Sequence, residues 1–335
     1  MTRHTLVTGA AGFIGAALAH ALLDRGERVT GVDSLNAYYD VSLKRARLAR
    51  LEDRGAFAFR HLDLADADAT TDLFASDFTH VAHMAAQPGV RHSLHAPRDY
   101  LRANIDAFLN VLEGCRHNPV EHLVFASSSS VYGANETGVY RADEPADHPV
   151  SLYAATKKAD EAMAHAYAHL YGVSVTGLRF FTVFGPWGRP DMAPLIFLDR
   201  LFAGEPLTVH NNGDHARDFT YVDDIVDGIV RVLDHPPAAG AFDHAAPRPD
   251  RSSAPYRIYN IGQGRPTELM DFIRLLENAS GRTAELIMAP KQPGDVAATH
   301  ADITPLARDT GFAPQTTTRE GVEKLVDWYR AYRGV

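Results

Sequence analysis

HTLVTGAAGFIGAALAHALLDRG, residues 4–26, decides how the rest of the chain is read. An apolar run at 4–9 passes directly into a helix-like stretch at 13–25, and Gly9, Gly12 and Gly15 stand at the junction. Glycines at this spacing permit a tight strand-to-helix turn, close backbone approach to a pyrophosphate, and close packing of helix on strand. The helix start, with Phe13 and Ile14 as its first residues, then points free N–H groups at the phosphates. The next apolar run, RVTGVD at 28–33, ends in Asp33. A carboxylate there can bind both hydroxyls of a ribose and would repel a 2′-phosphate, so the pattern expects NAD rather than NADP.

Outward from that unit, the alternation continues. Short apolar runs at 57–63, 80–86, 122–128 and 173–180 read as strands, and stretches at 98–117 and 151–171 read as helices. Buried strands alternating with helices imply a doubly wound parallel sheet covered on both faces. In such sheets ligands gather at the carboxyl ends of the strands. Asp63 and Leu64 end the third run, where an adenine edge would lie; Ala85, Ala86 and Gln87 follow the fourth. After about residue 185 proline and glycine become frequent and the strands scatter. The expected organisation is a dinucleotide-binding domain over 1–185 and a smaller α/β substrate-binding region over 186–335, whose chain crosses back to the first. The segment RPDRSSAP at 248–255 reads as an exposed, mobile loop.

Composition narrows the function. The chain has 335 residues and a net charge of −9, which argues against nucleic-acid binding, since phosphate affinity rests on clustered Lys and Arg. A single cysteine, Cys115, rules out an internal disulfide and fits a reducing compartment. No run is long enough to span a membrane, so a cytoplasmic protein is expected. Histidine pairs His165/His169 and His92/His95 lack a third ligand nearby, and no metal is expected.

The fifth strand runs into four serines, Ser127 to Ser130, and YAATK follows at 153–157. Hydroxyls at a strand end can face a polyhydroxylated ligand rather than solvent. Tyr153 and Lys157 are four apart on a helix and share a face. An unperturbed tyrosine, with a pKa of about 10, is a poor base at neutral pH. A neighbouring ammonium favours the phenolate, as proton abstraction from an alcohol requires.

With these residues in hand, the sequence resembles the extended short-chain dehydrogenase/reductases that modify nucleotide sugars. The segments carrying the likeness are GAAGFIG, SSSSVYG, YAATK and RDFTYVDDI. DSLNAYYDVSLKRARL, HPVSLYAATKKADE, FFTVFGPWGRPDMA and QPGDV are similar to segments of the UDP-glucuronate 4-epimerase subgroup. The resemblance implies a homodimer, paired through the helices at 98–117 and 151–171. It implies an isomerase that interconverts UDP-glucuronate and UDP-galacturonate through a 4-keto sugar, with NAD bound throughout. Tyr153 would be the base and acid, Lys157 its activator and a ribose ligand, and Ser128 the partner of the reacting hydroxyl. Asn36 and Asn104 would join the NAD contacts. Ser129, Ser130 and Thr182 would surround the sugar and its carboxylate, with Arg91, Arg189 and Arg217 toward the anionic parts of the substrate. Because a 4-keto uronate can lose CO₂, Ser129, Ser130, Thr182 and Arg189 are also expected to hold the carboxylate out of line with the carbonyl. His215 and Ala216 before Arg217 depart from the family pattern. The alternatives are a neutral UDP-hexose 4-epimerase, a UDP-glucuronate decarboxylase, or a nucleotide-sugar sensor without chemistry.

Overall fold

The computed structural model describes residues 3–135, 138–240, 245, 247–291 and 298–335. In chain order the strands are β1 His4–Thr8, β2 Arg28–Asp33, β3 Phe57–His61, β4 His80–His83, β5 His122–Ser128, β6 Val175–Phe180, β7 Thr182–Phe184, β8 Leu207–His210, β9 Ala216–Arg217, β10 Phe219–Tyr221, β11 Tyr256–Ile261, β12 Thr267–Glu268 and β13 Leu286–Ala289. The helices are α1 Phe13–Asp24, α2 Val41–Glu52, α3 Ala67–Phe74, α4 Pro97–Tyr100, α5 Ala107–His117, α6 Leu152–Tyr171, α7 Ala193–Ala203, α8 Val222–Leu233, α9 Leu269–Ser280, α10 Thr304–Thr310 and α11 Thr318–Arg333. Seven strands form one parallel sheet in the order β11-β6-β5-β4-β1-β2-β3. This is the doubly wound Rossmann arrangement that the alternation implies. Strands β1, β4 and β6 are buried along their whole length, as a sheet covered on both faces requires.

The glycine turn explains the first unit. Gly9 adopts φ +69, and its carbonyl accepts the Gly12 amide at 2.8 Å. A Cβ on Gly15 would lie 2.1 Å from the Gly9 oxygen, so only glycine lets α1 start there. Helix α6 is bounded just as plainly. Ser151 accepts the Ala154 amide at 3.1 Å, and Gly172 closes the helix in the left-handed conformation.

Two features differ from the sequence reading. The helix expected over 98–117 is interrupted: α4 and α5 flank a π-helical stretch, Leu101–Asp106, whose extra residue per turn brings Asn104 into the interior. The segment 248–255 is not simply an exposed loop. Asp250 is buried and draws Arg248 at 3.0 Å, Arg251 at 3.4 Å and Arg257 at 3.1 Å, which fastens the segment to β11. The motif QPGDV falls on 292–296, outside the described residues. Among the described residues, no helix is long and apolar enough to cross a membrane.

Candidate active site

The carboxyl ends of β1, β2, β4 and β5 open on a cavity of ≈400 Å³. Its walls bring together Gly9, Gly12, Phe13, Ile14, Gly15, Asp33, Asn36, Asp63, Leu64, Ala85 and Ala86 on one side, and Ser128, Ser129, Ser130, Tyr153, Lys157, Thr182 and Arg189 on the other. An adjoining cavity of ≈180 Å³ shares Ser129, Ser130 and Thr182 and adds Arg217. Residues spread over more than two hundred positions of sequence thus line two adjoining spaces that share wall residues.

The dinucleotide end is held by its own backbone. Asp33 accepts the Leu35 amide at 2.8 Å and the Ala11 amide at 3.2 Å, which fixes its carboxylate at the end of β2. Lys44, on the same wall, donates to Asn36 at 2.8 Å. Asp63 accepts the Ala65 amide at 3.0 Å and carries Arg102 at 2.8 Å. The glycine cradle and the two strand-end carboxylates fit an adenine dinucleotide.

At the other end, Ser128 is nearly buried, and its oxygen accepts the Ser130 amide at 3.1 Å. That bond opens the short 3₁₀ turn Ser129–Tyr132 and leaves the Ser128 hydrogen available to a ligand. Ser127 is spoken for differently: its hydroxyl donates to Glu161 at 2.7 Å, and Arg179 grips the same carboxylate at 2.8 Å through both Nε and Nη2. Tyr153 meets the Tyr100 ring edge-on at 6.1 Å between centroids. Arg189 lines the same cavity as Tyr153 and is paired with Asp191, which also accepts the Tyr38 hydroxyl at 3.0 Å. Burial, followed by Asp191, pushes the Tyr38 phenol up to about 12. Asp218 fixes the strand beside Arg217 by accepting the amides of Gln263, Gly264 and Ala301 at 2.6–3.0 Å.

Three expected site residues stand elsewhere. Asn104 and Gln87 are buried behind the wall. The Asn104 side chain exchanges bonds with the Gln87 backbone and donates to Thr156 at 2.9 Å, and Thr156 donates to the Tyr153 carbonyl at 2.8 Å. Asn104 therefore braces the turn that carries Tyr153 and lines neither cavity. Arg91 is exposed and lines neither cavity; Val90 takes the wall position, and Arg91 sits at the turn into the 3₁₀ stretch His92–Leu94. Conversely Tyr38, Tyr39, Lys44 and Met192 line the cavity unforeseen. Their only sequence signal was membership of the DSLNAYYDVSLKRARL and FFTVFGPWGRPDMA stretches.

Among the described residues no cluster of three or more His, Cys, Asp or Glu is placed to hold a metal. Burial pushes the Cys115 thiol well above its ordinary range, away from nucleophilic use.

With this geometry in place, the profile described as "NAD dependent epimerase/dehydratase family" matches residues 5–262. The chain belongs to that family. It is 45% identical over 335 residues to UDP-glucuronate 4-epimerase 1 of Arabidopsis thaliana, covering 98% of this chain and 77% of that one. It is 44% identical over 331 residues to a probable UDP-glucuronate 4-epimerase of Rhizobium meliloti (strain 1021), covering 97% and 96%. Among solved structures, UDP-glucuronic acid 4-epimerase from Bacillus cereus, in complex with UDP-glucuronic acid and NAD, superposes with a TM-score of 0.88 at 32% identity, over 98% of this chain and 99% of that one.

Proposed function

We propose that the protein is a UDP-glucuronate 4-epimerase that interconverts UDP-glucuronate and UDP-galacturonate. The observation that carries the reading is a cavity that runs from the glycine turn, past Ser128, Tyr153 and Lys157, to Thr182 and Arg189, with Arg217 in an adjoining cavity that shares Ser129, Ser130 and Thr182. The likeness to UDP-glucuronate 4-epimerases over the full chain supports the same substrate. Residues 1–185 carry most of the cofactor contacts and 186–335 contribute Arg189 and Arg217.

Bound NAD supplies a reversible acceptor for the hydride at C4 of the sugar. Tyr153 takes the proton of the 4-hydroxyl and later returns it. Ser128 gives its free hydrogen to the same oxygen. Lys157 presents its ammonium on the cavity side of α6, where it favours the phenolate and binds ribose hydroxyls. Arg217 holds the diphosphate, so the 4-keto sugar can turn over and present its other face. Thr182, Ser129 and Ser130, with Arg189 nearby, hold the carboxylate out of line with the 4-keto group and so suppress loss of CO₂.

Purified protein supplied with UDP-glucuronate should yield UDP-galacturonate without CO₂ release, and should leave UDP-glucose essentially unconverted. Conversion of UDP-glucose at a comparable rate, UDP-pentose as main product, or no turnover would each overturn this reading. The assembly proposed is a homodimer. Leu101, Leu109, Leu170 and Tyr171 lie exposed on the π-helical stretch, α5 and α6, an apolar surface suited to a second copy. A monomeric mass by light scattering would refute it. The reducing cytoplasm is the compartment that fits a lone buried thiol.

A further inference from the structure

We propose that Asp160 is a positioning residue of the active site: it holds the Lys157 ammonium from behind and offsets part of the charge that Lys157 presents to the Tyr153 phenol. The proposal rests on the epimerase reading of the site.

The geometry is local to α6. Asp160 lies one turn beyond Lys157, as Lys157 lies one turn beyond Tyr153, so the three stand along one side of the helix. Lys157 Nζ donates to Asp160 Oδ2 at 2.8 Å, and the two side chains are 2% and 1% exposed. The ammonium has three hydrogens. One is committed to Asp160, which leaves the others for the cavity that Lys157 lines.

The neighbouring carboxylate shows what a purely structural acid looks like here. Glu161 is equally buried, but Arg179 and Ser127 between them engage both of its oxygens. Burial works to raise its carboxyl, but Arg179, joined by Lys158 and the Ser127 hydroxyl, holds it below the usual range. Asp160 has no such support. Its Oδ1 is buried without a hydrogen-bond partner. Burial pushes its carboxyl up to about 6, with Lys157 opposing and the charge of Glu161 adding to the rise. A half-satisfied buried carboxylate adds little to the fold, because breaking hydration without full replacement is unfavourable. Its position against Lys157 gives it an electrostatic consequence instead.

The groups around the trio are few. From β4, His83 is buried beside Lys157 with its Nε2 unpartnered, and burial followed by the Lys157 charge holds its ring down to about 3, hence neutral. The Glu161–Arg179 pair from α6 and β6 is internally compensated, and Lys158 sits 3.5 Å from Glu161 toward the surface. Tyr100 stands edge-on to the Tyr153 ring, and Arg189 lines the same cavity as Tyr153. Asp160 is therefore the group that sets how much of the Lys157 charge reaches the phenol. A unit charge about 10 Å from a titrating group moves its midpoint by about one pH unit at an effective dielectric constant near 20, and by about half a unit near 40.

Asp160→Asn keeps an acceptor for Lys157 and removes the charge. The test uses the NAD-loaded protein and two readouts. The first is an ultraviolet difference titration of tyrosinate, from which the signal of Tyr153→Phe protein is subtracted. The second is the acid limb of kcat/KM for UDP-glucuronate. The expected result is retained NAD, with both midpoints about half to one pH unit lower than in the unmodified protein. Midpoints that do not move, or that rise, would overturn the proposal. If Asp160→Asn fails to fold, Asp160→Ser, smaller and uncharged, is read in the same way. The phenolate titration needs no turnover, so it decides the role of Asp160 even if UDP-glucuronate proves not to be the substrate.

Discussion

Tyr153 owes its place to neighbours that line neither cavity. Thr156 donates to its carbonyl, Asn104 donates to Thr156, and Tyr100 packs against its ring. Replacing Tyr153 by Phe removes only the phenol oxygen, so NAD should remain bound while turnover falls by at least ~10²-fold, as for loss of a positioned acid–base group. Assay beside cofactor content of the purified variant checks this; near-normal turnover would exclude Tyr153 as the base. Gly15 is tested by adding one methyl group. Its Cβ would lie 2.1 Å from the Gly9 oxygen, so Gly15→Ala must displace the turn, and the expected outcome is protein purified largely without NAD. Retention of a full complement of NAD would show that the turn yields more easily than its geometry implies. These residues were legible because residue type at a fixed spacing encodes their chemistry. Asp160 was not, since what marks it is burial with one oxygen unpartnered, and a one-dimensional pattern carries no burial of individual atoms.

At the level of elements, Arg47 of α2 joins pieces far apart in sequence. It is 0% exposed. It donates to the Ala11 carbonyl in the glycine turn at 3.0 Å and to the Trp187 and Gly188 carbonyls at 2.7 and 2.9 Å, just before Arg189. Trp187 takes φ +62 and packs on Trp328 and Tyr332 of α11, with Arg50 over its ring. The cofactor turn and the loop bearing Arg189 are therefore fixed to one guanidinium. Arg47→Met would leave three carbonyls short of their donor, at a cost of about 3 kcal/mol or more. Urea denaturation should register that loss, and KM for the nucleotide sugar should rise more than kcat falls. Unchanged stability would mean water replaces the guanidinium. The strands at 28–33 and 122–128 were readable to the residue because their buried apolar runs are continuous. The break in the helix at 101–106 was not, because the π-helical turn is stabilised by Asn104 bonding to Gln87 and Thr156, contacts that are distant in sequence.

For the molecule as a whole, histidines that are buried, or in the case of His20 half-buried, set the response to acid. Burial first, with nearby Arg or Lys adding to it, holds His20 and His80 down to about 4 and His83 to about 3; burial also holds His122 to about 3. These folded values lie below that of the unfolded chain, near 6.5. Stability is thus complete above pH 6.5 and is lost as pH falls toward 4, because the unfolded state takes up protons the folded state cannot. Each fully buried histidine contributes a loss of roughly 1.4 kcal/mol per pH unit in that window. Asp160, raised to about 6, works the other way between pH 6 and 4, as do Asp218 and Asp223, raised chiefly by burial, but three carboxyls do not offset four rings. Thermal unfolding should show a clearly lower midpoint at pH 5 than at pH 7; a flat profile would contradict the buried, neutral histidines. The closing strand of the large sheet has a further consequence, one of timing. β6 is complete at Phe180, yet its outer neighbour β11 is not finished until Ile261. On a ribosome that adds about 5–20 residues per second, those ~80 residues take roughly 4–16 s. For that interval the nascent sheet shows a bare row of amides and carbonyls along β6, the kind of template on which stray strands pair. The later half of synthesis, between β6 and β11, is therefore when this chain is most exposed to aggregation, and slow codons placed there would lengthen that exposure.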